Sequence, residues 1–436
     1  MKDGTPYAER RERVAALLGP DAAMVLAASP ELMVGDTELR YVVDPELYWL
    51  TGYTEPAAVA VLCPSHPESR FTLFVRPRDR DGELWTGVRG GTEAALEQYG
   101  ADRAHPVGSL AEQLTGLLEG VEMVHARLGT GRSDVDAALS DVLQWSRARR
   151  PRRGVGPRGV IDPGAILDDL RLVKDETEIG CLRAAADLSV DVFREASASI
   201  GAGAGEWQIE AAVDGGFRVR GANGPAFPTI VASGANAIVL HHTSNDRVMA
   251  AGDMVLVDAG ARHAMYCADI TRTFPVAGRF KGAQKVLYET VLRAHDAAID
   301  AARPGATIAD VHDAALRALL EGLIDLGCAT GPVARLMENE DDVTRFYPHR
   351  TSHWLGLDVH DAGDYVRDGA PRVLAPGMVL TVEPGLYIGL DALIGPQELR
   401  GTGIRIEDDV LITPYGHDVL TSALPVDVAG IEALLD

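Results

Sequence analysis

The sequence predicts an α/β (α+β) chain of two domains. Three observations carry that expectation. A chain of 436 residues is longer than one ordinary hydrophobic core organises. Apolar β-type runs alternate with helical ones over the first third. In the remainder, amphipathic helices come in pairs, and four strand-like segments each enclose an acidic residue.

Along the chain, "AAMVLAAS" (22–29), "PAAVAVLCP" (56–64) and "FTLFVRP" (71–77) predict buried strands, and "EAALEQYG" and "SLAEQLTGLLEG" predict helices ended by glycine. Basic, glycine-rich "SRARRPRRGVGPRG" (146–159) predicts an exposed connection. A long helix then opens at Asp175, with Glu178 placed as the capping partner three residues on. The domain boundary is therefore expected near Leu172, giving domains 1–172 and 173–436. Within the second domain a faint internal echo is visible. One helix pair surrounds "SIGAGAGEWQIEAAV", another surrounds Pro304-Gly305, and strand-like segments follow each.

Those segments are "DMVLVDAG" (253–260), "YCADITRTF" (266–274), "GMVLTVEPGLYI" (377–388) and "TGIRIEDDVLIT" (402–413). They carry Asp258, Asp269, Glu383 and Glu407. An ionised carboxylate in an apolar strand costs several kcal/mol unless it is paired or metal-bound. An ion-pair network through Arg262, Arg272 and Arg405 is one way to meet that cost, and divalent cations are the other. His353 adds a candidate imidazole. Four carboxylates and one imidazole suit Mn²⁺, Co²⁺ or Mg²⁺ better than a thiolate-seeking ion. That many carboxylates point to two ions, roughly 3.5–4 Å apart.

Composition narrows the class. With 46% hydrophobic and 24% charged residues, the chain has the profile of a soluble globular protein. A net charge of −23 argues against nucleic acid or an anionic membrane as partner. Four scattered cysteines, an N-terminus without an apolar signal core and the lack of a spanning apolar run point to a cytoplasmic protein.

"HRTSHWLGLDVHD" (349–361) holds three of the twelve histidines. The spacing of four between His349 and His353 fits two ligands on one helix face. However, Gly356 and the β-like residues 357–361 argue against a helix, and no glutamate lies between them.

In order, "DAGARHAMYCADITRTFP", "HRTSHWLGLDVHD", "LTVEPGLYI" and "GIRIEDDVLIT" resemble the pita-bread metallopeptidases, and within them the bacterial Xaa-Pro aminopeptidases. "YWLTGYTEPAAVAVL" and "RDRDGELWTGVRGG" are similar to the N-terminal domain of that family. The resemblance implies an aminopeptidase P-type α/β domain, with oligomerisation and substrate-access roles, ahead of a pita-bread catalytic domain with pseudo-two-fold αα/β halves. It implies that Asp258 chelates one metal, that Asp269 and Glu407 bridge two, and that His353 and Glu383 hold the second. It further implies hydrolysis of peptides with proline second by a metal-bridging hydroxide, the water's pKa falling from ~16 to about 7. Glu383 would relay the proton, His241 and His360 would assist the intermediate and leaving nitrogen, and His349, Tyr387, Arg405 and Trp85 would line the substrate site. A homodimer or homotetramer is expected. The rival readings are a prolidase cleaving Xaa-Pro dipeptides and a metal-free pita-bread protein.

Overall fold

The computed structural model describes residues 5–436. The chain divides into two compact units, one ending at Asp169 and one spanning Leu170–Asp436.

The first unit is built on a six-stranded sheet. In space the strands run Arg103–Pro106, Phe71–Val75, Val59–Leu62, Ala22–Ala27, Met123–His125 and Gly159–Ile161. The central pair, 22–27 with 59–62, is antiparallel, and 123–125 runs parallel to 22–27. Val25, Val61, Phe74, Leu114 and Leu139 belong to one core under this sheet.

Here the structure corrects an expectation. Residues 146–153 are not a connection but the last two turns of the helix Ser133–Arg153, which contains Pro151. Proline interrupts a helix by removing one N–H and crowding the carbonyl four residues back. So near the end that loss is confined to the final turn. Arg149 and Arg153 lie over the Trp145 ring at 5.1 and 5.3 Å, which favours the helical course. Gly154, at φ 81°, then ends the helix.

The second unit opens with the predicted capping box. The Glu178 amide donates to Asp175 at 2.9 Å, and the Asp175 amide donates to Glu178 at 3.0 Å. The helices Glu176–Ser197 and Glu206–Val219 are followed by an antiparallel sheet of Ile230–Ser233, Met254–Ala259 and Ile270–Pro275. A second helix pair, Gly282–Ala301 and Ile308–Asp325, is followed by two more ladders. Val379–Val382 pairs with Asp408–Thr413, and Gly385–Ile388 with Thr402–Arg405. The two halves are stitched where the Glu407 amide donates to the Thr271 carbonyl at 3.1 Å and the Thr273 hydroxyl donates to the Arg405 carbonyl at 3.0 Å.

A second correction concerns the acidic segments. Only Asp258 lies within a strand. Asp269, Glu383 and Glu407 occupy two-residue interruptions at 268–269, 383–384 and 406–407. At each, the chain leaves one ladder and joins another. Pro384 has no N–H to continue pairing. At the first break the backbone of Gly260 passes so close that a Cβ there would lie 1.6 Å from the Ala268 carbonyl oxygen. Among the described residues no helix is long and apolar enough to cross a membrane.

Candidate metal centre

The breaks turn three carboxylates out of the ladders and toward one cavity. This cavity, about 520 Å³, is lined by Asp258, Asp269, Glu383 and Glu407 together with His241, His349, His353 and His360. Asp269, His353 and Glu407 each offer a ligand atom within 4.8 Å of the others. His353 Nε2 stands 3.4 Å from Asp269 Oδ2 and 3.6 Å from Glu383 Oε1.

Hydrogen bonding decides which atom of His353 faces those oxygens. Its Nδ1 lies 3.0 Å from the Trp354 carbonyl. A carbonyl only accepts, so Nδ1 carries the proton and Nε2 presents a lone pair. Burial holds the imidazole down at about 4, so it is neutral near pH 7. A lone pair therefore confronts two carboxylates.

The carboxylates repel each other as well. Burial, then Glu407 and Asp258, pushes Asp269 well above the usual range. Burial, then Glu383 and Asp258, does the same to Glu407. Burial and Asp258 raise Glu383 to about 8 against the opposing pull of Arg405. Asp258 Oδ1 and Asp269 Oδ1 are buried without a hydrogen-bond partner. An oxygen-rich set with orphaned acceptors and one imidazole lone pair fits divalent cations.

Among the described residues, Arg405 is the protein cation that pairs with this group. Arg405 pairs with Asp258, donates to the Tyr387 hydroxyl at 2.8 Å, and donates to Thr271 at 3.1 Å. The Tyr387 hydroxyl sits 2.9 Å from His349 Nε2, and His349 Nδ1 sits 2.8 Å from the Arg350 carbonyl. His349 thus donates from Nδ1 and accepts at Nε2, and burial with Arg405 nearby holds it down at about 3. Of the other arginines, Arg272 serves Asp408 and Arg262 donates to the Leu357 carbonyl. Among the described residues, the ion-pair alternative accounts for Asp258 through Arg405, whose charge also reaches Glu383 and Glu407 without an ion pair to either, and leaves Asp269 without a guanidinium.

His241 and His360 are exposed at the cavity, and the His360 ring meets the His353 ring edge-on with centroids 4.4 Å apart. Residues 356–360 are a run of bends and 361 has no regular structure, so 357–361 is not the expected β-like segment. The loop is closed by the Asp361 amide, which donates to the Trp354 carbonyl at 2.9 Å. Trp85 lies in the first unit on the helix Arg80–Thr86 and is 89% exposed. The apolar shelf expected for a proline ring could not be assigned to residues from the sequence. Phe227, Pro228, Ile230, Leu240 and Val359 form one, and their only local signal was apolarity.

A second acid–histidine group, Glu206, His242 and Asp246, is also close enough to hold an ion. Glu206 is already saturated, accepting from the Ser233 amide at 2.6 Å, the Ser233 hydroxyl at 2.8 Å and the Arg247 amide at 3.0 Å. Its chemistry is that of a loop anchor.

Comparison with known proteins agrees with this geometry. The model of metallopeptidase family M24 matches residues 180–414, and that of the aminopeptidase P N-terminal domain matches residues 7–125. The chain is 38% identical to the Xaa-Pro aminopeptidase of Escherichia coli K12 over 436 residues, covering 98% of this chain and 97% of that protein. The structure of Pseudomonas aeruginosa aminopeptidase PepP superposes with a TM-score of 0.94 at 41% identity, covering 98% of this chain and 97% of that one. Zinc-substituted E. coli aminopeptidase P in complex with product superposes at 0.93 with 38% identity, covering 99% and 97%.

Proposed function

We infer that this chain, which belongs to metallopeptidase family M24, is a metallo-exopeptidase that removes the first residue from peptides with proline in second place. The observation that carries the reading is the convergence of Asp269, His353 and Glu407 ligand atoms within 4.8 Å of one another, with Glu383 Oε1 3.6 Å from the same His353 nitrogen. Asp258, Asp269, His353, Glu383 and Glu407 would hold two divalent ions, Mn²⁺ in the cell, with Asp269 and Glu407 shared. When bound, the ions supply a hydroxide near neutral pH and polarise the scissile carbonyl.

The remaining work falls to side chains. Glu383, which holds a proton up to about pH 8 before metal binds, is placed to accept one from water and pass it toward the leaving nitrogen. His241 and His360, exposed at the cavity, are placed to donate to the tetrahedral intermediate and to that nitrogen. The chain Arg405, Tyr387, His349 fixes the cavity wall. Phe227, Pro228 and Ile230 offer an apolar surface that asks no N–H of its ligand, as a proline ring requires. Trp85 would act from the first unit in a homo-oligomer, with the enzyme in the cytoplasm.

The test is a substrate panel with Mn²⁺, Co²⁺ and Mg²⁺. Xaa-Pro-Xaa tripeptides are expected to be cleaved between the first two residues. Cleavage of Xaa-Pro dipeptides alone would replace this reading with the prolidase one.

A further inference from the structure

Beneath the loop that carries His353 and His360 lies a charge cluster that the proposed chemistry does not use. Asp361 follows His360 directly, and its side chain is only 2% exposed. Lys174 Nζ approaches Asp361 Oδ2 at 2.9 Å, and Arg171 approaches Asp361 Oδ1 at 2.6 Å. The two cations are themselves buried, at 1% and 4% side-chain exposure. Arg171 also reaches Asp358 Oδ2 at 2.9 Å.

The contacts of Asp361 bracket the loop. Its amide donates to the Trp354 carbonyl, one residue after His353, and its carboxylate accepts from the Asp358 amide at 3.4 Å. Gly356 is required because a Cβ there would lie 2.1 Å from Asp361 Oδ2 and 3.1 Å from Lys174 Cε. The neighbouring backbone is held from the other side, where the Cys267 amide donates to the Gly356 carbonyl at 2.8 Å. A buried carboxylate shared by two buried cations has few alternative positions, since any displacement leaves a charge unpaired.

We infer that Asp361, gripped by Lys174 and Arg171, is a positioning residue that holds the 354–361 loop so that His360 stands at the cavity. This rests on the proposed role of His360. Asp361 touches neither the ligand group nor the cavity, so it acts through its neighbour. Lys174 and Arg171 come from the segment just before the helix Glu176–Ser197, far in sequence from the histidines they serve.

A double-mutant cycle tests it, run on the Mn²⁺-loaded full chain with an Ala-Pro-Ala tripeptide. D361N is expected to lower kcat roughly 10–100-fold, as loss of a supporting partner does, with KM little changed and metal per chain equal to the parent. In an H360A background, D361N is expected to cost nothing further, because what it positions is gone. An equal factor in both backgrounds would overturn the inference, since a general structural role adds regardless of His360. Loss of metal in D361N would overturn it too, by placing the effect on His353. Should D361N fail to fold, the K174M and K174M/H360A pair decides by the same comparison, and K174R, which keeps the charge, is expected to retain most of the parent kcat. If H360A alone leaves kcat unchanged, the catalytic reading of His360 falls and this inference with it.

Discussion

Glu407 and Asp408 are neighbours in sequence and equally buried, at 2% exposure each, yet they sit in opposite surroundings. Asp408 faces protein cations. Arg272 pairs with it at 2.7 Å, and His295 Nε2 approaches at 3.0 Å. Burial works to raise its carboxyl, but Arg272 and His295 hold it down at about 2. Glu407 faces the cavity. It accepts one hydroxyl hydrogen bond from Thr271 at 2.6 Å and otherwise confronts carboxylates, which leave it well above its usual range. The difference separates two uses of a buried charge. Asp408 is complete when the chain folds. Glu407, with Asp269, Glu383 and the His353 lone pair, is completed from outside.

The largest effect expected from that contrast is on the open side. Asp269→Ala removes a proposed metal ligand and is expected to reduce turnover to background, about 10³-fold or more, with far-ultraviolet circular dichroism unchanged. Near-parent kinetics in Mn²⁺-replete buffer would break the comparison at its functional end.

The closed side answers in stability. Arg272→Met strands Asp408 beside His295 and is expected to cost roughly 3–5 kcal/mol, seen as a lower denaturant midpoint. Folded protein should still bind its metal. A variant that kept its midpoint but lost metal would show that Arg272 belongs to the site and not to the frame.

A smaller effect distinguishes the two sides by pH. In the metal-free chain Glu383 is raised from 4.5 to about 8. A carboxyl raised on folding stabilises fully below its unfolded value, and that contribution is lost as pH climbs through the folded one. Chelator-treated protein is therefore expected to melt lower at pH 8 than at pH 6, and Mn²⁺ should raise Tm more at pH 8. A Mn²⁺ increment independent of pH would contradict the account of unneutralised carboxylates.

Much of this was legible in the sequence, for identifiable reasons. The Asp175–Glu178 box is local, and both of its hydrogen bonds form. Acidic residues in apolar segments stood out because the surrounding residues are so uniform. The interruptions at 268–269, 383–384 and 406–407 were not legible, since only Pro384 marks one of them. Nor was the Asp408 network. His295 lies on a helix more than a hundred residues away, where a histidine on an apolar face carries no mark of its partner. The same holds for Lys174 and Asp361, whose pairing exists only once the chain has closed. Residues 146–153 misled because a Pro-Arg-rich composition describes an exposed loop and an exposed helix end equally well.

The three interruptions have a mechanical consequence. Each carboxylate-bearing break is a corner at which one ladder hands over to another. The distances among Asp269, Glu383 and Glu407 therefore record how those ladders are seated against each other. Shear of one ladder by a fraction of an ångström would change the spacing of the oxygens without altering any single strand. A bound ion would act as a rivet across all three corners, so that occupancy of the centre and rigidity of the sheet framework become one variable.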